Sequence, residues 1–270
     1  YLKLVNAVPN KYQKINLDDK NFDNVTFYFN KGIIYDYDIK NKIFKINQKN
    51  LSGRSFFLQG KINDVKIIYN GKVKYFNDKS EERLGDKNLT GCLSFIKINF
   101  IRTSISSYNS ICEDGINIIN GLGELENITA SNSLYDAVDL DFSNLLIKEV
   151  KVENALNDCL DFSFGKYEVQ NSQLNLCGDK AISVGERSLA NFNSIELQNA
   201  KIGVASKDSS YVYIENSKIS KVENCFASYR KKQEFDGGFI KVKVSNCKTF
   251  SNNLFFDKNS KIEIIKDENI

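Results

Sequence analysis

The sequence predicts a right-handed parallel β-helix, a solenoid of stacked coils of about 22 residues, with an N-terminal β-rich cap. Three observations predict this all-β fold. The second half of the chain repeats itself, its strand-like segments alternate apolar and polar residues, and the whole chain holds a single Pro. Coils that pair on both sides leave little room for a residue without an N–H, so the scarcity of Pro agrees with the repeat.

The repeat is clearest where four segments each begin with an aspartate. These are Asp114, Asp136, Asp158 and Asp179, spaced 22, 22 and 21 residues apart. Each aspartate opens a short alternating strand, and a second strand-like run follows before the next aspartate. Two or three short strands per repeat, with Asn, Gly and Ser between them and no helical period, favour a β-helix over a leucine-rich repeat.

Asparagines recur at the turns with nearly the same period. A side-chain amide tolerates the left-handed backbone region and can bond to the equivalent turn of the coils above and below. We therefore expect an asparagine ladder along one corner of the solenoid. Its predicted members are Asn132, Asn154 and Asn175, roughly continued by Asn199, Asn224 and Asn246.

The chain is predicted to divide at about residue 90. Residues 1–90 are rich in strand-like runs with a shorter, less regular spacing, and we interpret them as a cap and the first coils; a separate small β domain is the alternative. Residues 91–270 form the regular β-helix. The polar stretch 77–88 is expected to be a loop, and the charged segment 266–269 suits the capping of the last coil.

Composition excludes several classes of function. Lys and Arg exceed Asp and Glu by only three, and the two signs are interspersed, so we expect no nucleic-acid partner. No apolar stretch is long enough to span a membrane, so no membrane insertion is expected. The chain has no His, which excludes imidazole bases, imidazole metal ligands and a Ser-His-Asp triad within it.

Six cysteines stand at positions 92, 112, 159, 177, 225 and 247, and the members of each successive pair are about one coil apart. We interpret them as buried cysteines that stack as small apolar residues, since the chain has core residues enough to fold without a disulfide framework. A disulfide across a pair is the alternative. Zinc is not expected, because no CxxC pair occurs.

One strand face concentrates carboxylates. If Val138 and Leu140 point inward, then Asp139 and Asp141 point outward, and the next coil places Asp161 beside them. Such crowding needs a cation, a raised pKa or a hydrogen-bonded cage, and these three aspartates are the predicted ligands if Ca²⁺ binds. The turn aspartates have a structural alternative, in which each accepts backbone N–H groups.

Neighbouring polar and cationic residues complete a predicted substrate-binding face. The side chains expected there are Asn117, Asp141, Ser163, Lys166, Ser183 and Arg187. Lys166, Lys180 and Arg187 are the nearest cations by sequence, and simple ion pairing with the aspartates is the alternative for each of them.

The stretches 157–165 and 177–185 resemble the central coils of the pectate lyase and polygalacturonase type of parallel β-helix. The resemblance implies that Asp139, Asp158 and Asp161 correspond to the three aspartates that hydrolyse the glycosidic bond in polygalacturonases. It implies a base role for Lys180 if the chain is instead a Ca²⁺-assisted lyase. The Gly-His-Gly motif of the hydrolases is matched only by Gly178-Asp179-Lys180, and their Arg-Ile-Lys motif is absent.

Together these features predict a protein that interacts with a polysaccharide, either as a lyase or glycoside hydrolase that uses the acidic strand face or as a non-catalytic module. The non-catalytic alternative is a cell-surface or tailspike-like glycan-binding or structural protein. The predicted location is extracellular or at the cell surface, with any targeting signal outside this chain. The oligomeric state is not indicated.

Overall fold

The structure, a computed structural model, describes residues 12–72 and 89–265, apart from the side chains of 250–253. These residues form strands and turns without a helix. The strands are β1 (Tyr12–Leu17), β2 (Phe22–Asp23), β3 (Val25–Asn30), β4 (Ile33–Asp38), β5 (Ile43–Gln48), β6 (Ser55–Asn63), β7 (Lys66–Asn70), β8 (Gly91–Tyr108), β9 (Asp114–Ile119), β10 (Leu122–Ser133), β11 (Asp136–Asp141), β12 (Asn144–Ala155), β13 (Leu160–Ser163), β14 (Lys166–Cys177), β15 (Lys180–Gly185), β16 (Leu189–Lys207), β17 (Tyr211–Tyr229), β18 (Phe239–Phe256) and β19 (Lys261–Ile264).

The strands before β8 combine antiparallel and parallel pairing. β1 pairs with β3, β3 with β6 and β4 with β5, all antiparallel, whereas β6 and β7 pair in parallel with β8. Their aromatic core continues into the coils, because Phe57 stacks on Phe95 with ring centroids 5.2 Å apart. The antiparallel strands thus cover one end of the solenoid, where an open edge would otherwise pair with other chains.

From β8 onward each coil pairs in parallel with the next, in a solenoid of about nine turns. β9, β11, β13, β15 and the C-terminal parts of β16, β17 and β18 lie side by side; we call this array the leading sheet. β10, β12, β14 and the N-terminal parts of β16, β17 and β18 form the side sheet, which β19 continues.

Alternation along each leading strand fills the inside of the coil. Leu140 pairs with Ile118 in the coil before and with Phe162 in the coil after, and Phe162 pairs with Val184. All four side chains are buried and belong to one apolar cluster that runs through the coils. Their stacking at the spacing of parallel strands removes apolar area from water in every coil, which supplies the main driving force for folding.

Residues in the left-handed region bend the chain from the leading strands into the next face and again at the corner after the side sheet. Asn132 and Asn154 have φ of 55° and 63°, and each donates its side-chain amide one coil back, to Asn109 and Asn132 respectively. Asn199 also has a positive φ, so the predicted asparagine ladder is confirmed at these three positions.

The predicted ladder is wrong at its end and shifted by one residue in the middle. Asn175 lies beside the bend, where Leu176 has the positive φ, although Asn175 still accepts an amide bond from Asn199. Asn224 and Asn246 lie inside paired strands, opposite Ile202 and Lys218. The register lengthens in the late coils, so a fixed period carried these two predictions off the corner.

The cysteines form three disulfides, Cys92–Cys112, Cys159–Cys177 and Cys225–Cys247. The interpretation of the cysteines as free, packed apolar residues is therefore wrong, and the alternative holds. Each bond joins two positions almost one full coil apart along the chain, whose Cα atoms are brought to 5.3, 5.4 and 6.3 Å by the closure of that coil. A disulfide recurs in every third coil.

The all-β class, the parallel stacking and the repeat of about 22 residues are confirmed. The right hand of the helix stays a prediction, as does the domain division at residue 90. The predicted loop 77–88 and the capping segment 266–269 lie outside the described residues. Residues 12–72 and 89–265 contain no helix of the length and apolarity needed to cross a membrane.

Candidate functional site

Two columns of side chains point outward from the leading sheet. The first column runs through Asn117, Asp139, Asp161 and Ser183, which are paired in register. The second runs beside it through Asp141, Ser163 and Gly185. The alternation of strand residues thus brings the predicted acidic face together as expected, and we call these two columns and the turn residues next to them the acidic face.

Asp139 and Asp141 form a carboxyl pair two residues apart on β11. The Asn117 amide donates to both, at 3.1 Å to Asp139 Oδ2 and 3.4 Å to Asp141 Oδ2. Burial raises the pKa of Asp139 well above its usual range, and the carboxylates of Asp114 and Asp141 add to the effect. Burial also raises the pKa of Asp141, although its hydrogen bonds to Asn117 and Asp139 oppose the shift. The pair therefore retains a proton above the usual range of an aspartate.

Asp161 stands opposite Asp139 on the next coil, so that the two backbones are about 4.8 Å apart, the spacing of paired strands. Its Oδ1 is buried and has no hydrogen-bond partner in the described part of the chain. A buried carboxylate oxygen without a donor is costly, so this atom is suited to accept a proton or a hydroxyl group from a ligand.

The turn aspartates behave differently. Asp136 Oδ1 accepts the backbone N–H of Asp158 at 2.7 Å, and Asp158 Oδ1 accepts the N–H of Lys180 at 2.9 Å. Each carboxylate therefore ties its own coil to the next one. Burial raises the pKa of Asp136 to about 7, with the neighbouring Asp158 as the next cause. These contacts give Asp136 and Asp158 structural work in addition to any role at the site.

Lys180 is held in ion pairs with Asp158 and Asp179. Burial by itself lowers the pKa of Lys180, but the two carboxylates outweigh it, and the pKa lies above its usual value. A lysine that keeps its proton is a poor base. This geometry gives no support to the base role implied for Lys180, and Asp158, the partner of Lys180, is 4% exposed.

Ser163 connects the acidic face to Glu186, which the sequence argument missed. Ser163 Oγ donates to Glu186 Oε2 at 2.6 Å, and Lys232 Nζ lies 2.6 Å from Glu186 Oε1. Burial raises the pKa of Glu186, but these two contacts outweigh it, and the pKa falls below its usual range. One part of the site thus holds a carboxyl proton, while Glu186 at its side is ionised.

Stacked aromatic rings border the acidic carboxyl pair. Phe142 and Phe164 follow their leading strands directly, and their rings stack at 4.8 Å with an angle of 2° between planes. Both rings are partly exposed, at 40% and 42%, and both residues have positive φ, 51° and 52°. A bulky residue in this region is strained, so the rings are displayed against a backbone cost, as happens at functional sites.

The remaining predicted residues are divided between two faces. Arg187 is exposed at the turn after β15, with its guanidinium 5.4 Å from the Phe235 ring centre, and so belongs to the border of the site. Lys166 begins β14 and pairs with Asn144 and Leu189, so it lies on the side sheet. The register thus separates Lys166 from the acidic face.

The predicted Ca²⁺ ligands Asp139, Asp141 and Asp161 are neighbours in register. Nevertheless, in residues 12–72 and 89–265 no three His, Cys, Asp or Glu side chains are grouped so that they could hold a metal ion. The proton shared by the carboxyl pair and the amide of Asn117 satisfy the face in another way. Metal binding there stays a prediction without support from this arrangement.

Lys207 is the second residue that the sequence argument missed. It follows Gly185 by one coil, and a Cβ on Gly185 would lie 3.4 Å from Lys207 Cε and 3.8 Å from Nζ. The lysine therefore reaches back along the second column over the space that glycine leaves. The signal was available, because counting 22 residues from Gly185 reaches Lys207, on a strand whose repeat is less exact.

Comparisons of this chain with protein-family models, with curated proteins and with solved structures find no match. The resemblance to pectate lyases and polygalacturonases therefore has no support beyond the shared solenoid architecture.

Proposed function

We propose that the chain binds a polysaccharide at the acidic face and hydrolyses a glycosidic bond there. The observation that carries the proposal is the proton-holding pair of Asp139 and Asp141 beside the exposed rings of Phe142 and Phe164. A carboxyl group that keeps its proton near neutral pH can act as a general acid. Sugar rings present C–H groups that pack on aromatic faces, while their hydroxyls need polar partners such as Asn117.

The proposed reaction uses two carboxyl groups from adjacent coils. Asp139 gives its proton to the glycosidic oxygen as the bond to the anomeric carbon breaks. A water molecule adds to that carbon, and its proton passes to Asp161, whose Oδ1 lacks a partner in the described part of the chain. The two carboxyl groups then exchange one proton through solvent to restore the starting state.

Three disulfides support the extracellular or cell-surface location as part of the proposal, since such bonds persist in oxidising compartments. The lyase alternative has less support, because Lys180 is engaged with two carboxylates and retains its proton.

The test is Asp139→Asn, compared with Glu149→Gln, an exposed side-sheet residue. We expect Asp139→Asn to lower the release of reducing ends by a factor of about 100 or more, because the general acid is lost while the shape is kept. Binding measured by calorimetry should change little, and the melting temperature should be equal or higher because burial disfavours the ionised carboxyl.

A second variant, Phe142→Asn, copies Asn120, which has the same left-handed backbone one coil earlier. It should weaken glycan binding without destabilising the fold, because Asn tolerates this conformation. Absence of binding to any acidic or neutral polysaccharide would overturn the proposal. Binding without cleavage by the unmodified protein would favour the non-catalytic glycan-binding alternative.

A further inference from the structure

The outward columns of the leading sheet are open over a short distance only. Asp139, Asp141, Asp161 and Ser163 keep part of their surface exposed, and all four belong to β11 and β13. On the coils before and after, the first-column residues are 0% exposed. These are Ser94, Asn117, Ser183, Ala205 and Ala227. The opening of the acidic face thus spans two coils, or about 10 Å along the solenoid axis.

An apolar cluster closes the N-terminal side of this opening. Ile96 and Ile119 continue the second column toward the cap, where Asp141 would have its counterparts. Tyr12 of β1 and Phe56 of β6 cover them, with ring centroids 5.4 Å apart. Their removal from water holds this wall in place.

The segment 230–238 closes the C-terminal side. The backbone N–H groups of Lys231 and Lys232 donate to Asp208 Oδ1 at 2.6 and 2.8 Å. The ring of Phe235 lies 6.2 Å from that of Phe164, and Lys232 is paired with Glu186. Charge-assisted hydrogen bonds to the fully buried Asp208 fix this segment against the solenoid.

Two buried polar groups stand at the C-terminal side of the opening without a partner. Lys207 is 3% exposed, and its ammonium has no ion-pair or hydrogen-bond partner within residues 12–72 and 89–265. Ser183 directly follows Asp161 in the first column, is 0% exposed, and its Oγ has no partner there either. The neighbouring carboxylates already have cations, because Asp158 pairs with Lys180 and Glu186 with Lys232.

We infer that the opening takes the end of a glycan chain and that the terminal sugar carries a carboxylate or sulfate group, which binds Lys207 and Ser183. Walls on both sides exclude a long polymer laid along the axis. A buried cation and a buried hydroxyl, both without partners in the described chain, are matched by an anionic group that accepts both donors. The inference rests on the proposed function and adds the position and the charge of the sugar that is bound.

The first experiment measures binding against chain length. Calorimetry on the full chain would use disaccharides to hexasaccharides of polygalacturonate, of chondroitin sulfate and of neutral xylan. We expect the affinity to level off at the shortest lengths and to exceed that for xylan by about tenfold or more, because one charge-assisted contact is gained. The carboxylate and sulfate series distinguish the two anionic groups. A hexasaccharide labelled at the bound end should bind poorly, and one labelled at the other end should bind normally.

The second experiment compares Lys207→Met with Lys218→Met, which removes an exposed cation from the side sheet. We expect Lys207→Met alone to abolish the preference for anionic oligosaccharides, and Lys207→Arg to retain most of it. Melting curves of both variants show whether the fold is kept, and Ser183→Ala provides an independent loss at the same place.

The outcomes separate the two proposals. If affinity keeps rising with length, or if labels at both ends are tolerated, the chain-end inference is wrong while glycan binding stands. If Lys207→Met and Lys207→Arg bind anionic oligosaccharides as the unmodified protein does, the assignment of Lys207 is overturned. If no glycan binds to the unmodified protein, the proposed function and this inference both fail.

Discussion

Individual carboxyl groups decide the chemistry of the acidic face, and Asp136 illustrates how. Its Oδ1 accepts two donors, the N–H of Asp158 and the amide of Asn157 at 2.6 Å, yet burial still raises its pKa to about 7. Desolvation thus outweighs two hydrogen bonds at this residue. The same balance holds for Asp139 and Asp141, so the crowded aspartates avoid mutual repulsion by keeping protons rather than by binding a metal ion.

The raised pKa of Asp136 predicts a pH-dependent stability. Between 3.8, its value in the unfolded chain, and about 7, its value when folded, the folded state binds more protons than the unfolded state. The free energy of unfolding therefore falls as the pH rises through this window. Asp136→Asn should remove this contribution and stabilise the protein by about 2 kcal/mol near pH 8, after allowance for partial exposure, with no gain near pH 3.

The measurement is denaturant unfolding of both proteins across this pH range. Asp18→Asn, a change at an exposed aspartate of the cap region, is the control and should leave the pH profile as it is. Equal pH profiles for Asp136→Asn and the unmodified protein would contradict the assignment of a buried, proton-holding carboxyl.

At the scale of one coil, disulfides and bent strands determine the geometry. Cys159 and Cys177 close the coil that carries Asp161, and they meet because the end of β14 returns to the start of β13. The bond limits how far this coil can open in the unfolded chain. It therefore helps to hold the acidic face in register without touching it.

Removal of this bond should destabilise the protein measurably. Replacing both Cys159 and Cys177 by Ala should cost about 3 kcal/mol of unfolding free energy, the usual effect of freeing a closed loop of this length. Denaturant unfolding under oxidising conditions gives the value. In reducing buffer the difference between variant and unmodified protein should shrink, because the other partner then also lacks the bond. Free thiols in the unmodified protein by mass spectrometry would refute the pairing.

At the scale of the whole molecule, the solenoid is nearly one-dimensional, since each coil contacts mainly the coils before and after it. Phe162 is fully buried between Leu140 and Val184, with its ring 4.8 Å from that of Tyr167. A defect there should weaken its own neighbourhood before the ends of the solenoid.

Phe162→Ala tests this locality. We expect a loss of about 3 to 5 kcal/mol, because a large cavity replaces a close-packed ring. Hydrogen exchange should show that backbone protection falls first in β11, β13 and β15, while the antiparallel strands of the cap change little. Ile43, a partly buried residue of β5, provides a distant comparison as Ile43→Ala. Uniform loss of protection over the whole chain would show that the coils unfold as one unit.

The sequence by itself determined the class of fold, the repeat and the outward placement of Asp139, Asp141 and Asp161, because strand alternation and a period of about 22 residues translate directly into columns. It left the state of the cysteines open and favoured the wrong choice, since spacing alone does not show which corner two residues share. Only the tertiary structure decided that Lys166 faces another sheet and that Lys207 reaches over Gly185. Those facts depend on the bends and register of neighbouring coils, which a local pattern does not encode.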